Sequence, residues 1–265
     1  MSSRVQKHGE IILQNTRSLI SLRYHTVTKA INKEFWNSTS DTLHSIYVGS
    51  YGRNTAIDTS DIDILVELPS SLFDRYNNLS GNSQSRLLQA VRNAILNTYP
   101  RSDVRADGQV VKIAFSDGMY FEIVPAFKRW DGSYKYPDAN TGGSWSSTNP
   151  KAEQEAMMHK NKISNGLLYD TCRHIRYIHD NYFSSYHLSG IVIDSFVYNA
   201  IENWRWLNSG ESSSSPSGTY EQVLLDYYNQ HGISYGMSIN APGSNDTVST
   251  SSSYECLGKV LRSMI

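Results

Sequence analysis

VGSYGRNTAIDTSDIDILVEL, residues 48–68, is the stretch that decides the fold. Its last part, DIDILVEL, reads as a strand, in which Asp61 and Asp63 project from one face because side chains alternate between faces. Two neighbouring carboxylates repel each other, and divalent cations relieve that repulsion; hard oxygen ligands suit Mg²⁺. The acid pair therefore predicts a metal site, with a pair of exposed surface acids as the alternative.

A Gly-Ser turn precedes the acid pair in the same stretch. Gly49 and Ser50 stand at the end of a short predicted strand, where backbone N–H groups can turn toward an anion. Glycine also allows a ligand to approach the backbone closely. We expect this turn to hold the triphosphate of a bound nucleotide.

A third carboxylate is predicted on a later strand, MYFEIVPAF, residues 119–127. Glu122 is the one acid among its apolar residues, and an isolated acid in such a strand is costly unless it is paired or coordinated. An in-line phosphoryl transfer with two metals needs a ligand beside the attacking hydroxyl. Glu122 is the predicted third ligand of a site for two Mg²⁺ or Mn²⁺ ions, and a buried glutamate paired with Lys or Arg is the alternative.

Hydrophobic periodicity divides the chain into a strand-rich first half and a helix-rich second half. The predicted strands are 43–50, 61–68, 109–115 and 119–127. The predicted helices are 9–37, 83–98, 151–183, 188–208, 219–230 and 254–264. The pattern predicts an α+β fold in which a small mixed sheet is packed on a helical lobe.

Turn and loop signals set the predicted boundaries. Ser116-Asp117-Gly118 marks a hairpin between the last two strands, and Pro125 is expected to close the second of them. Residues 211–218 and 240–253 are expected to be surface loops. The predicted domains are 1–127, the catalytic lobe with the long N-terminal helix, and 128–265, the helical lobe, whose first segment 128–150 crosses between the lobes.

Composition excludes several classes of protein. A length of 265 residues with 39% hydrophobic side chains allows a sizeable core. No apolar run approaches the roughly 20 residues that span a bilayer, and the N-terminus lacks the apolar centre of a signal peptide, so we expect a cytoplasmic protein with no membrane contact. Cys172 and Cys256 are too few for a zinc site or a disulfide framework and are expected to be buried thiols.

The motifs together resemble a known family. GS followed by SDIDI and a later strand acid resembles the DNA polymerase β-like nucleotidyltransferases. GSYGRNTAI, SDIDILVEL and GGSWSSTNP before a long helix are similar to the bacterial CD-NTases, the cyclic-oligonucleotide synthases related to cGAS and DncV, over residues 10–210. The resemblance implies a polymerase β-like catalytic lobe fed by nucleoside triphosphates. Many relatives carry Asp where this chain has Glu122.

The same resemblance implies a product and further site residues. Such enzymes make a cyclic di- or trinucleotide second messenger that reaches a downstream effector in antiphage defence. Residues 159–178 resemble the family helix whose cations contact the triphosphate and whose amides read a base edge. The candidates are Lys162, Arg173 and Arg176 for the phosphates and Asn161 and Asn165 for a base. An ordinary polar helix surface is the alternative for each.

The charge of the chain indicates which kinds of partner it can bind. The net charge of −1 argues against a surface that coats long nucleic acid. The N-terminal segment is nevertheless basic, with six cations against Glu10 and Glu34: Arg4, Lys7, Arg17, Arg23, Lys29 and Lys33. We expect a solvated helix face, and an RNA or protein activator is the alternative use of this surface.

Two other functions stay open. The first is another transferase on the same fold, for terminal nucleotide addition or small-molecule nucleotidylation. The second is a catalytically silent binding module. Three intact acids argue against a silent module, because clustered carboxylates have no structural purpose.

Overall fold

A computed structural model describes residues 4–9, 11–231 and 238–265. The chain forms two compact units. The sheet unit comprises Ile12–Gly52 and Thr59–Pro150, and the helical unit comprises Met1–Ile11, Arg53–Asp58 and Lys151–Ile265. The mixture of sheet and helices confirms the predicted α+β class. These units differ from the predicted domains 1–127 and 128–265, because residues 128–150 continue the sheet.

The sheet unit contains seven strands, four α-helices and one short 3-10 helix (Asn140–Gly142) among its described residues. In chain order the strands and α-helices are α1 (Gln14–Phe35), β1 (Ser45–Tyr47), α2 (Gly49–Gly52), β2 (Ile62–Glu67), α3 (Ser71–Asn77), α4 (Ser83–Leu96), β3 (Asp103–Asp107), β4 (Val110–Ala114), β5 (Tyr120–Lys128), β6 (Tyr134–Asp138) and β7 (Ser144–Thr148). The strand order is β1-β2-β5-β4-β3, and β6 pairs with both β5 and β7. Only β2 and β5 pair in parallel among these strands; the other pairs are antiparallel.

One face of this sheet is covered by apolar side chains of α1 and α4. Its inward residues are Ile62, Ile64, Val66, Val111, Ile113, Phe121 and Ile123. They pack against helix residues Ile20, Val27, Ile31, Leu87, Leu88, Val91 and Ile95. Burying each large aliphatic side chain contributes about 1.5–3 kcal/mol. The core therefore fixes which face of β2 and β5 is turned away from it, and Asp61 and Asp63 belong to that other face.

Pro125 does not end β5, contrary to expectation. Ala126 O accepts a hydrogen bond from Leu68 N at 2.8 Å. Because backbone groups of successive residues point to opposite edges of a strand, Pro125 faces the other edge. On that edge β4 pairs only as far as Ile123, and β6 begins to pair at Phe127. The missing N–H of proline thus falls in a gap where no ladder bond is needed.

The helical unit contains five helices and one hairpin among its described residues. They are α5 (Pro150–Ile163), α6 (Leu167–Tyr182), α7 (Gly190–Ala200), α8 (Thr219–His231), β8 (Ser238–Asn240), β9 (Thr247–Ser249) and α9 (Tyr254–Ser263). Asn165 and Gly166 have positive φ angles of 53° and 92°, so the predicted helix 151–183 is two helices. The core of the helical unit includes both cysteines as buried thiols, as predicted. None of the described helices is long and apolar enough to cross a membrane.

The N-terminal segment belongs to the helical unit rather than to α1. Val5 N donates to Glu221 Oε1 at 3.0 Å, and His8 N donates to Asp170 Oδ1 at 2.9 Å. The predicted helix 9–37 therefore begins later, at Gln14. Glu10, which entered the predicted charge balance, lies outside the described residues.

A buried ion network ties the segment Arg53–Asp58 into the helical unit. Asp194, which is 0% exposed, accepts from Arg176 at 2.7 Å, from Arg53 Nε at 2.8 Å and from Thr55 at 2.9 Å. Arg53 also donates to Glu153 at 2.9 Å. Burial opposes the ionisation of Asp194, but the guanidinium groups of Arg176 and Arg53 hold its pKa below the ordinary value. Asp194 is thus favoured in its charged form, with both guanidinium groups as its partners.

We expect an Asp194→Asn variant to lose about 3–5 kcal/mol of unfolding free energy, because two buried guanidinium groups lose their shared carboxylate. The measurement is urea unfolding followed by tryptophan fluorescence. An Asp226→Asn variant, at an exposed position on α8, is the control and should stay within about 0.5 kcal/mol of the parent.

The pH dependence of this stabilisation has a defined sign. Because folding lowers the pKa of Asp194, its contribution is complete above the unfolded pKa of about 4 and is lost as pH falls through the folded value. The difference in unfolding free energy between the parent and the Asp194→Asn variant should therefore become smaller in acid. Equal stability at neutral pH would contradict the assignment.

Candidate active site

The parallel register of β2 and β5 places the predicted acids next to one another. Asp63 is the register partner of Glu122, and Asp61 stands two positions before Asp63. All three belong to the face opposite the α1 and α4 core. The residues on either side of Glu122 in β5 are Phe121 and Ile123, and both are fully buried on the core side. Three carboxylate-bearing residues thus share one face at the start of two adjacent strands.

Gly49 forms a close seat for Asp63. It has a φ of +59°, and a Cβ added to it would lie 1.8 Å from Asp63 Oδ2. The approach is fixed by Val48 N, which donates to Asp63 O at 2.9 Å. Ser50, half-buried, follows in α2. Only glycine fits this position, both for its left-handed backbone and for the space that the carboxylate occupies.

Glu122 has a cationic neighbour, Lys112, on β4. The two residues are directly opposite in the antiparallel register, and Lys112 Nζ lies 3.0 Å from Glu122 Oε1. The predicted alternative, a glutamate paired with a lysine, thus describes this contact, although Glu122 is part exposed rather than buried. Lys112 was not among the predicted site residues. The hairpin signal could have found it, because a turn centred on Asp117 puts residues 112 and 122 opposite each other.

The electrostatics of the acid face follow from these neighbours. Burial raises the pKa of Asp61, the Glu122 carboxylate raises it further, and Lys112 acts in the opposite direction. The hydrogen bond to Glu122 is the largest cause of a raised pKa for Lys112. The acids therefore repel one another, and one ammonium group offsets part of that repulsion.

The donor set fits a divalent cation by its chemistry. Three carboxylates supply hard oxygen ligands on one face, Gly49 leaves room against Asp63, and the Lys112 ammonium already acts as a positive counter-charge. No three His, Cys, Asp or Glu side chains in the described part of the chain converge closely enough to hold a metal ion as they stand. The fit thus rests on the register and the residue types.

Comparison with known proteins decides the family. The SMODS family, "Second Messenger Oligonucleotide or Dinucleotide Synthetase domain", matches residues 7–161, more than half of the chain. The chain belongs to this family. The match confirms the predicted family resemblance. A search of curated proteins found no match.

Solved structures show that the SMODS chain shares its fold with bacterial synthases. The CdnE c-UMP-AMP synthase of Rhodothermus marinus matches with a TM-score of 0.61 at 14% identity, covering 92% of this chain and 88% of that one. The STING-associated CdnE c-di-GMP synthase of Capnocytophaga granulosa matches at 0.63 and 15%, covering 93% and 80%. The E. coli MS115-1 CdnC:HORMA-deltaN complex matches at 0.64 and 13%, covering 95% and 84%. At such low identities the likeness shows the fold.

The predicted phosphate-binding cations occupy different environments in the helical unit of this SMODS chain. Arg176 is buried and donates to Asp194 at 2.7 Å and to Gly190 O at 3.0 Å. Arg173 donates to Asn54 O at 2.9 Å. Lys162 is exposed near the end of α5. The contacts of Arg176 favour a structural role, and the phosphate roles of Arg173 and Lys162 stay predictions.

The two predicted base-reading amides both stabilise the break between α5 and α6. Asn161 Oδ1 accepts from Tyr169 N at 3.0 Å. Asn165 Nδ2 donates to Trp206 O at 3.1 Å and to Asn208 Oδ1 at 3.2 Å. These contacts favour the alternative, a polar helix end, and base reading stays a prediction.

The N-terminal cations do not share one helix. Arg4 and Lys7 precede α1 and belong to the helical unit. Arg23 on α1 pairs with Asp117 at 2.9 Å and lies over the Phe115 ring at 3.9 Å. The predicted basic run is therefore divided between the two units.

We expect a Gly49→Ala variant to lose nucleotidyltransferase activity at least tenfold, because the added Cβ would displace the Asp63 carboxylate. The left-handed backbone should also cost about 1–2 kcal/mol of unfolding free energy. Gly132→Ala is the matched control, since Gly132 has a φ of +85° with nothing within 4 Å of the added Cβ. The Gly132→Ala variant should lose a similar amount of unfolding free energy and keep its nucleotidyltransferase activity. Equal activities of the two variants would contradict the proposed seat.

Proposed function

We propose that this chain is a metal-dependent nucleotidyltransferase that joins nucleoside triphosphates into a cyclic di- or trinucleotide. The observation that carries the proposal is the placement of Asp61, Asp63 and Glu122 on one sheet face beside the Gly49 turn. Family membership supports the reaction class. A silent binding module is disfavoured, because the acids repel one another with no benefit to the fold.

Each residue has a role in this reaction. Asp61 and Asp63 would hold divalent ions on the triphosphate, and Glu122 would hold one beside the attacking hydroxyl. Bound Mg²⁺ or Mn²⁺ would supply charge neutralisation and acidify that hydroxyl. Ser50 and the backbone at Gly49 orient the phosphates. The hydroxyl oxygen bonds to the α-phosphorus of the donor nucleotide, and the bond to the leaving pyrophosphate breaks.

The ligands and activities of similar solved proteins support the substrates and product. The Rhodothermus marinus CdnE was solved with Apcpp and Upnpp, and the Capnocytophaga granulosa protein is a c-di-GMP synthase. For this chain we propose nucleoside triphosphate substrates and a cyclic product that acts on an effector in antiphage defence. The CdnC structure is a complex with HORMA-deltaN, so for this chain a bound protein is the first kind of partner to test.

We expect an Asp61→Asn/Asp63→Asn variant to retain no more than a few per cent of parental transfer, because it loses metal-binding charge while keeping side-chain shape. The measurement is product formation from labelled nucleoside triphosphates with Mg²⁺. Activity above that level would contradict the metal-site assignment.

Stability provides the control for this variant. Folding raises the pKa of Asp61, so the ionised form opposes folding, and this penalty grows as pH rises from the unfolded to the folded pKa. The double variant should therefore unfold no earlier than the parent in metal-free buffer at neutral pH. An earlier unfolding would attribute the activity loss to the fold.

We expect the product to resist alkaline phosphatase, because a cyclic oligonucleotide has no terminal phosphate. Its mass should equal a whole number of nucleoside monophosphates less one water for each. The test is mass spectrometry of reactions with single and mixed nucleoside triphosphates, before and after phosphatase. If every product is phosphatase-sensitive, or if label appears only on an added RNA or small acceptor, the alternative transferases take the place of the cyclase.

A further inference from the structure

A row of charged residues crosses four strands on the acid face of the sheet. The registers place Asp63 opposite Glu122, Glu122 opposite Lys112, and Lys112 opposite Arg105. Two acids are thus followed by two cations, and the change of sign falls between β5 and β4. Neighbours directly across a sheet project from the same face.

The two cations differ in what they contact. Arg105 is bound to Asp103 on its own strand, at 2.8 and 2.9 Å. Lys112 instead contacts Glu122 at 3.0 Å, while Asp107 Oδ2 lies 3.9 Å from the same Nζ. The Lys112 side chain is 46% exposed, so its stem has room to move. Asp107 offers the ammonium a second acceptor away from Glu122.

The reach of Lys112 extends beyond one contact. Its direct partner Glu122 is in turn the register partner of Asp63, so the ammonium stands in one row with two of the acids. An exposed cross-strand ion pair by itself contributes only about 0–1 kcal/mol to stability. A cation that faces two acids of a metal site has a further effect, because it competes electrostatically with any ion that binds the same carboxylates.

We propose that Lys112 is the internal counter-ion of the acid site: it pairs with Glu122 while no metal is bound and turns to Asp107 when a divalent ion binds. Lys112 is thus a positioning residue that sets the metal concentration at which the site fills. This inference rests on the proposed metal-dependent function. It predicts that Lys112 stabilises the metal-free protein and weakens metal binding.

The test compares Lys112→Met, which keeps the apolar stem and removes the charge, with Lys112→Arg, which keeps the charge. Mn²⁺ is titrated into nucleotide-free protein, and free Mn²⁺ is measured by electron paramagnetic resonance. Lys112→Met should bind Mn²⁺ roughly threefold to tenfold more tightly than the parent, as expected for a screened ammonium–dication repulsion. Lys112→Arg should bind as the parent does.

Thermal unfolding provides a second readout. Lys112→Met should melt below the parent without metal and should approach the parent in saturating Mn²⁺, because the ion replaces the missing charge. Lys128→Met is the matched control, since it removes an exposed cation from the same sheet. It should change neither the Mn²⁺ affinity nor the metal-dependent shift in melting temperature.

Three results would overturn the inference: unchanged Mn²⁺ affinity in Lys112→Met, weaker affinity, or a melting difference that is the same with and without Mn²⁺. Each of these results would mean that Lys112 and Glu122 form an ordinary surface ion pair. The proposed function fails separately, if the Asp61→Asn/Asp63→Asn variant keeps its activity. If that variant binds Mn²⁺ as the parent does, the metal site itself is wrong, and the role of Lys112 falls with it.

Discussion

The acid site depends on the parallel pairing of β2 with β5. A slip of one residue would turn every side chain of one strand to the opposite face. Ile64 and Ile123 are register partners and are both fully buried, so such a slip would expose one of them and bury a carboxylate. The apolar core thus holds Asp63 beside Glu122 against their mutual repulsion. The geometry of the site follows from packing on the other face.

A second constraint acts on the turn that precedes the acid pair. The chain leaves the sheet unit after Gly52, contributes Arg53–Asp58 to the helical unit, and returns at Thr59. Within the helical unit, Arg53 and Thr55 are held by Asp194, and Asn54 O is held by Arg173. The arginine of GSYGRNTAI therefore has a folding role. One motif supplies both the seat for Asp63 and the anchor of the following loop.

Local patterns were sufficient for much of the fold and for the sheet face that the three acids share. A period of two placed Asp61 and Asp63 on one face, and the lone acid of an apolar strand indicated Glu122. Such patterns could not predict contacts between residues that are far apart in the sequence. The parallel partner of β2 comes from more than fifty residues downstream, and the burial of Arg176 depends on Asp194, on another helix. At Asn165-Gly166 a turn signal was present, but helical periodicity on both sides outweighed it.

The glutamate at the third acid position is understandable from its two neighbours. Glu122 lies between Asp63 on β2 and Lys112 on β4. An aspartate would hold its carboxylate one carbon–carbon bond, about 1.5 Å, closer to the strand. The longer side chain can turn its carboxylate toward either neighbour by rotation about one more bond. Under the proposed role of Lys112, Glu122 has to exchange an ammonium partner for a metal ion, and the longer side chain supplies the reach that this exchange requires.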